Sequence, residues 1–239
     1  MDVTSNGAYA TYPVYVGSPA SNLVYLNAFT SNAVSPPETV DAAGVTLCYG
    51  ASVAVTPGNL IHVAWVRGQS VYYRERSDTV WTPAVRISSQ WGPATEPASN
   101  PFMEAYGDTI FCVWRVPNDS PTGPGEIWRR VHWLSSPVWG TPLVLSQSPD
   151  KESDFPVMGS SGATFWHEEV TPTNYDPWVL HLGGQYLFQT PLMSRYPHVY
   201  CYFPTPDTFK CDAVWTEQVS DTPPLYEVRF GTVTWPPGP

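Results

Sequence analysis

Charge is scarce in this chain. Only 13% of its 239 residues are charged, and acid outweighs base, leaving a net charge of −10 and a pI near 4.7. Nucleic-acid binders carry a basic face, and an anionic membrane surface would repel this one, so both partners are set aside. Cysteine is nearly as sparse: the four copies form no Cys-x-x-Cys pair. The histidines His62, His132, His167, His181 and His198 are scattered, which leaves zinc without a motif. No apolar run approaches a membrane span, neither end carries a lipidation motif, and the first residues lack the regions of a signal peptide. Nothing resembles a linker, so one domain is expected over residues 1–239. Met1-Asp2 and the closing Pro236-Pro237-Gly238-Pro239 read as the cut ends of one domain of a larger secreted or cell-surface protein.

What the chain has is a rhythm. Trp65, Trp114, Trp166 and Trp215 recur at spacings of 49, 52 and 49, each closing a short apolar run such as Leu60-Ile61-His62-Val63-Ala64-Trp65. A period of this length means stacked copies of one supersecondary unit. Each run is followed by an aromatic or β-branched run ending in a basic residue: Val71-Tyr72-Tyr73-Arg74, Ile127-Trp128-Arg129-Arg130, Trp178-Val179-Leu180-His181 and Tyr226-Glu227-Val228-Arg229. Outer strands come next, in Pro83-Ala84-Val85-Arg86-Ile87-Ser88, Pro142-Leu143-Val144-Leu145-Ser146 and the shortened Pro191-Leu192-Met193-Ser194. Five first strands open the copies, with proline at Pro13, Pro101, Pro156 and Pro197 and with Gly50 in the remaining one; the copy behind Pro13 is degenerate and has no tryptophan. Proline lacks a backbone donor and suits a strand's first residue.

Four strands per copy and five openings predict an all-β, five-bladed β-propeller of antiparallel blades, over residues 12–47, 48–98, 99–152, 153–194 and 195–235. The last copy lacks an outer strand, and residues 2–10 are expected to supply it and close the ring. The tryptophans are expected to fill the spaces between blades, since each indole removes roughly 150–250 Å² from water. Cys201 and Cys211 lie on one hairpin and would bridge if their side chains face each other, the alternative being buried thiols. A bridge between Cys48 and Cys112, in adjacent copies, is the weaker pairing.

The segment Tyr72–Pro83, with Ser77 and Trp81 at its ends, resembles a worn bacterial neuraminidase repeat, the Asp-box, of usual form Ser-x-Asp-x-Gly-x-Thr-Trp. Ser135-Ser136-Pro137-Val138-Trp139 keeps less of it, and the central Asp-x-Gly spacing is missing from both. The resemblance, a repeat rhythm over residues 48–235, implies the propeller superfamily of sialidases and of many non-catalytic secreted modules, and transfers no activity.

Three functions follow. A sialidase needs arginines in the central funnel, whereas Arg74, Arg76, Arg129, Arg130 and Arg229 fall on third strands and Arg86 on a fourth, with only Arg195 near a first strand. Another five-bladed glycoside hydrolase would need paired carboxylates, for which Glu104, Asp154, Glu168 and Glu169 are the candidates. The preferred reading is a non-catalytic binding or adhesion module that recognises a glycan or protein through its loop face. Its candidate ligand residues are Trp91, Glu96, Asn100, Asp119, Tyr175, Asp176 and Asp221, aromatics and polar groups in the long loops. No cofactor has a motif. Calcium is the metal these loops would suit, through Asp150 and Asp154, with Asp119 a further hard oxygen donor.

Overall fold

The computed structural model describes residues 2–4, 7–16, 21–29, 33–41, 48–88, 98–117, 124–146, 150–159, 162–171, 174–181, 184–187, 194–205, 208–221 and 224–235. The fold is all-β, and no α-helix occurs among the described residues.

Five small antiparallel sheets follow one another along the chain. The first holds β1 (Asp2–Thr4), β2 (Gly7–Val16), β3 (Ser21–Phe29) and β4 (Glu38–Asp41). The second holds β5 (Cys48–Thr56), β6 (Leu60–Arg67), β7 (Ser70–Ser77), β8 (Val80–Trp81) and β9 (Val85–Arg86), the last two both pairing with β7. The third holds β10 (Ser99–Tyr106), β11 (Thr109–Pro117), β12 (Gly125–Trp133) and β13 (Leu143–Val144). The fourth holds β14 (Ser153–Met158), β15 (Thr164–Thr171), β16 (Asn174–His181) and β17 (Gly184–Leu187). The fifth holds β18 (Ser194–Thr205), β19 (Thr208–Asp221) and β20 (Pro224–Trp235). Two compact units form: Met1–Val116 with Arg129–Leu143, and Pro117–Trp128 with Val144–Pro239.

The tryptophan runs become second strands because their side chains are buried on both faces. In β6 every residue from Ile61 to Val66 is buried, a pattern open to a strand sandwiched between other layers. In the first unit Trp65 packs with Val24, Leu26 and Val40 of the first sheet and Ile61 and Val63 of its own. In the second, Trp215 packs with Phe165, Val179 and the Cys201–Cys211 pair. Trp65 and Trp114 are fully buried, Trp166 and Trp215 nearly so, which makes all four core residues.

Two expectations need correction. The first-strand prolines do not begin the pairing. Ser99 already pairs with Arg115, Asp154 with His167 and Arg195 with Thr216, and the register then slips at Asn100-Pro101, Phe155-Pro156 and Tyr196-Pro197. The same slip in β5 falls at Gly50-Ala51. Proline is tolerated there because a bulged residue is left out of the ladder. Gly50, Asn100 and Phe155 turn to φ 55°, 51° and 50° in these bulges. A Cβ on Gly50 would also stand 3.0 Å from Pro101 Cδ, where the bulges of β5 and β10 meet.

The N-terminal residues do not complete the fifth sheet. Asp2–Thr4 fold back on Gly7–Tyr9, and Ala8–Ala10 pair with Asn27–Phe29, so residues 2–4 and 7–10 belong to the first sheet. A hairpin partner a few residues away costs far less closure entropy than one at the far end of the chain. Among the described residues the fifth sheet keeps three strands. Its last, β20, leaves Leu225, Tyr226, Val228 and Phe230 exposed.

Cys201 and Cys211 stand directly opposite each other in β18 and β19 and form a disulfide. Cys48 and Cys112 are buried thiols and do not bridge. Burial, then the neighbouring Asp41 carboxylate, pushes the Cys48 thiol up to about 12, and burial likewise raises Cys112, so neither is poised as a nucleophile.

Candidate functional site

The repeated basic position on the third strands has a structural use in the first unit. Arg74 donates from Nη1 to the Val40 carbonyl of the first sheet at 2.5 Å and from Nε to the Thr82 carbonyl at 2.6 Å. Arg130 does the same one copy later, from Nη1 to the Ile87 carbonyl of the second sheet at 2.8 Å and from Nε to the Gly140 carbonyl at 2.7 Å. Each arginine thus clasps the outer strand of the preceding sheet. A guanidinium suits this because its fixed fork reaches two carbonyls at once.

Beside the second clasp, within the first unit, lies a cleft of about 660 Å³. One wall is Tyr73 and Glu75 of β7, with the outer segment through Thr82, Val85 and Arg86; the other is Arg130 and His132 of β12, with the turn from Leu134 to Trp139. Alternation along each third strand decides which side chains reach it, since Tyr73 and Glu75 point one way while Arg74 and Arg76 point back to the first sheet. The wall is aromatic. The His132 and Trp139 rings stack with centroids 5.2 Å apart, and Tyr73 meets Trp139 edge-on at 4.9 Å. Two polar groups there meet no hydrogen-bonding partner among the described residues, His132 Nδ1 and Trp139 Nε1; Arg86 Nε and Nη2 are likewise unpartnered, but Arg86 stands opposite Tyr72, on the other face of β7. His132 is only 7% exposed, so its orphaned nitrogen carries the full desolvation cost, about 1–3 kcal/mol.

Behind Tyr73 runs a buried chain of hydrogen bonds. Thr56 Oγ1 is 3.0 Å from His62 Nε2, His62 Nδ1 is 2.8 Å from the Tyr73 hydroxyl, and that hydroxyl is 3.1 Å from Glu75 Oε2. One arrangement of protons satisfies every link: Thr56 donates to Nε2, Nδ1–H donates to Tyr73, and Tyr73 donates to Glu75. Burial, and next the proximity of His132, holds the imidazole neutral, its pKa pushed down to about 3. Glu75 lies 4.0 Å from Nδ1, but the Tyr73 hydroxyl takes up both groups, so burial outweighs that attraction. Burial, then Glu75, raises the Tyr73 hydroxyl. With His62 neutral and Tyr73 protonated, the chain orients the wall of the cleft, and neither of these two groups is poised for acid–base work near pH 7.

The residues singled out in the sequence fare differently. Trp91, Glu96 and Asp119 lie outside the described residues. Asn100 sits in the β10 bulge, half-buried. Tyr175 and Asp176 belong to β16 rather than to a loop, opposite Glu169 and Glu168. Asp176 is buried, which corrects its reading as a loop-face ligand: the strand simply begins earlier than the Asn-Tyr-Asp-Pro composition implied. Asp221 ends β19 opposite Pro224. Asp150 is exposed in a turn, and Asp154 spends Oδ1 on the next residue's N–H at 2.6 Å. No group of three or more His, Cys, Asp or Glu is placed to hold a metal among the described residues. Of the carboxylates considered for hydrolysis, Glu168 is buried beneath the Trp166 indole N–H at 3.3 Å and the Ser153 hydroxyl at 3.5 Å, while Glu104 faces Phe111 across the ladder. The sequence reading missed the cleft. Its traces were the repeated basic position and the tryptophans Trp81 and Trp139 ahead of the outer strands.

No protein-family model matches this chain, and no curated protein does. It is similar in structure to a protein of unknown function from Dyadobacter fermentans, with a TM-score of 0.60 at 9% identity, over 87% of this chain and 68% of that one. At this identity the likeness bears on the fold alone.

Proposed function

We propose that the five sheets are blades of a five-bladed β-propeller, and that the chain is an extracellular or cell-surface binding module holding one residue of a glycan in the cleft of its second and third blades. First strands of successive sheets lie against one another within each unit, β2 on β5 and β5 on β10, and β14 on β18, as blades meet around an axis. The backbone N–H of Met103 even donates to Ser52 Oγ at 2.9 Å, first strand to first strand. The Cys201–Cys211 disulfide supports an oxidising compartment.

The cleft carries the functional reading through its unpartnered donors beside stacked aromatic rings. Sugars ask for that combination, a π-face for the ring and donors for its oxygens. The test is a glycan-array screen followed by titration of any hit against Trp139→Ala and His132→Ala, with chromogenic glycosides assayed in parallel. Binding that weakens about tenfold or more in both variants, without turnover, is the expected outcome. Turnover of a glycoside would establish the competing reading, a glycoside hydrolase, and binding indifferent to both substitutions would move the site elsewhere.

A further inference from the structure

The junction of the first and second sheets and that of the second and third are copies of one arrangement, and the difference between them points to a ligand. Hydrogen bonds fix which positions correspond. Arg74 and Arg130 reach the Val40 and Ile87 carbonyls. Thr82 and Gly140 offer carbonyls to the same two arginines. Ile87 donates to the Val71 carbonyl as Leu145 does to that of Ile127, and Ser88 and Ser146 each accept the N–H of the facing strand at 2.9 Å. Two residues beyond each arginine stand Arg76 and His132; ahead of the outer strands stand Trp81 and Trp139; two residues before each accepting carbonyl stand Glu38 and Val85.

In the first junction Glu38 completes the set. Its Oε1 accepts the Trp81 indole N–H at 2.6 Å and its Oε2 pairs with Arg76. In the second junction Val85, half exposed, stands in that position, and the carboxylate has no counterpart there. His132 Nδ1 and Trp139 Nε1, the counterparts of the two groups that hold Glu38, meet no partner among the described residues. The residues that carry these two atoms both line the cleft.

We infer that the cleft takes the carboxylate of a small ligand, seated by Trp139 and His132 as Glu38 is seated by Trp81 and Arg76. This rests on the reading of the cleft as a ligand site and names the group it recognises. An indole N–H and an imidazole N–H both suit a carboxylate, whose charge strengthens each bond. The Glu75 carboxylate on the same wall would repel a dianion, which favours a single carboxylate over a phosphate. The cavity is of the size that encloses a small molecule, and Tyr73 and Trp139 offer the remainder of that molecule aromatic contact.

The experiment follows the Trp139 indole N–H by NMR, assigned with Trp139→Phe, while glucuronate, glucose or acetate is added at constant ionic strength. A second variant, Val85→Glu, returns the internal carboxylate to its repeat position and should act as a built-in competitor. Expected are a saturable shift with glucuronate, binding of glucose weaker by about tenfold or more, and loss of the glucuronate response in Val85→Glu at an undiminished melting temperature. A response to acetate equal to that of glucuronate also supports the inference and makes a simple organic acid, rather than an acidic sugar, the source of the carboxylate. Glucose binding as tightly as glucuronate, unaffected by Val85→Glu, would overturn the carboxylate while leaving a sugar site in the cleft. No saturable shift with any of the three would overturn both.

Discussion

Mild acid should destabilise this protein through His62. The imidazole is fully buried, and its pKa of about 3 in the folded chain lies well below the ordinary value of 6.5. The unfolded chain therefore binds the extra proton first as pH falls through 6.5, and stability drops from there until the folded pKa is reached. Within that window the loss approaches 1.4 kcal/mol per pH unit; between pH 7 and pH 5, where most carboxylates stay ionised, it amounts to about 2 kcal/mol. His62→Gln removes the titration and keeps an amide able to face Thr56 and Tyr73. Urea unfolding followed by tryptophan fluorescence at pH 7, 6 and 5 should show the wild-type losing about 2 kcal/mol more than the variant across this range, whatever their difference at pH 7. Parallel pH slopes for the two proteins would refute the reasoning, as would an NMR titration in which the His62 ring protonates near pH 6.

Two further substitutions test the packing. Arg130→Met keeps the buried stem but removes the donors to the Ile87 and Gly140 carbonyls, and should cost on the order of 3 kcal/mol in urea unfolding. A loss below about 1 kcal/mol would mean the clasp is ornamental. Gly159→Ala would drive a Cβ into Cys201 Sγ while the backbone is held by the Gly159 N–H on the Ala163 carbonyl at 2.9 Å. Overpacking of this kind should cost about 1–3 kcal/mol, and a neutral result would place the disulfide elsewhere than against Gly159.

The recurring tryptophans were enough to locate the second strands, because an apolar run buried on both faces is a property of consecutive residues. The hairpin of β18 and β19 was legible for the same reason, and with it the closeness of Cys201 and Cys211. Bulges were not. A proline marks a place where a ladder hydrogen bond is missing, and whether that place is the strand's first residue or a slip two residues inside it depends on the partner strand. The expectation for residues 2–10 failed because so short a stretch carries no pattern that chooses between a near and a distant edge. Tyr175 and Asp176 read as loop because their polarity hid a strand paired with Glu169 and Glu168.

The two positions whose difference matters were present in the sequence, Glu38 at the first junction and Val85 at the second, yet no local feature made either one notable. By itself the sequence determined an all-β chain of repeated antiparallel units, since strand periodicity and apolar burial act over a handful of neighbouring residues. Only the tertiary structure decided where a ligand could sit. Arg130 must cross 43 positions to reach Ile87, and Trp81 must cross 43 to reach Glu38. Exchanging a carboxylate for a valine at one repeat position matters only once the folded sheets bring those distant donors around it.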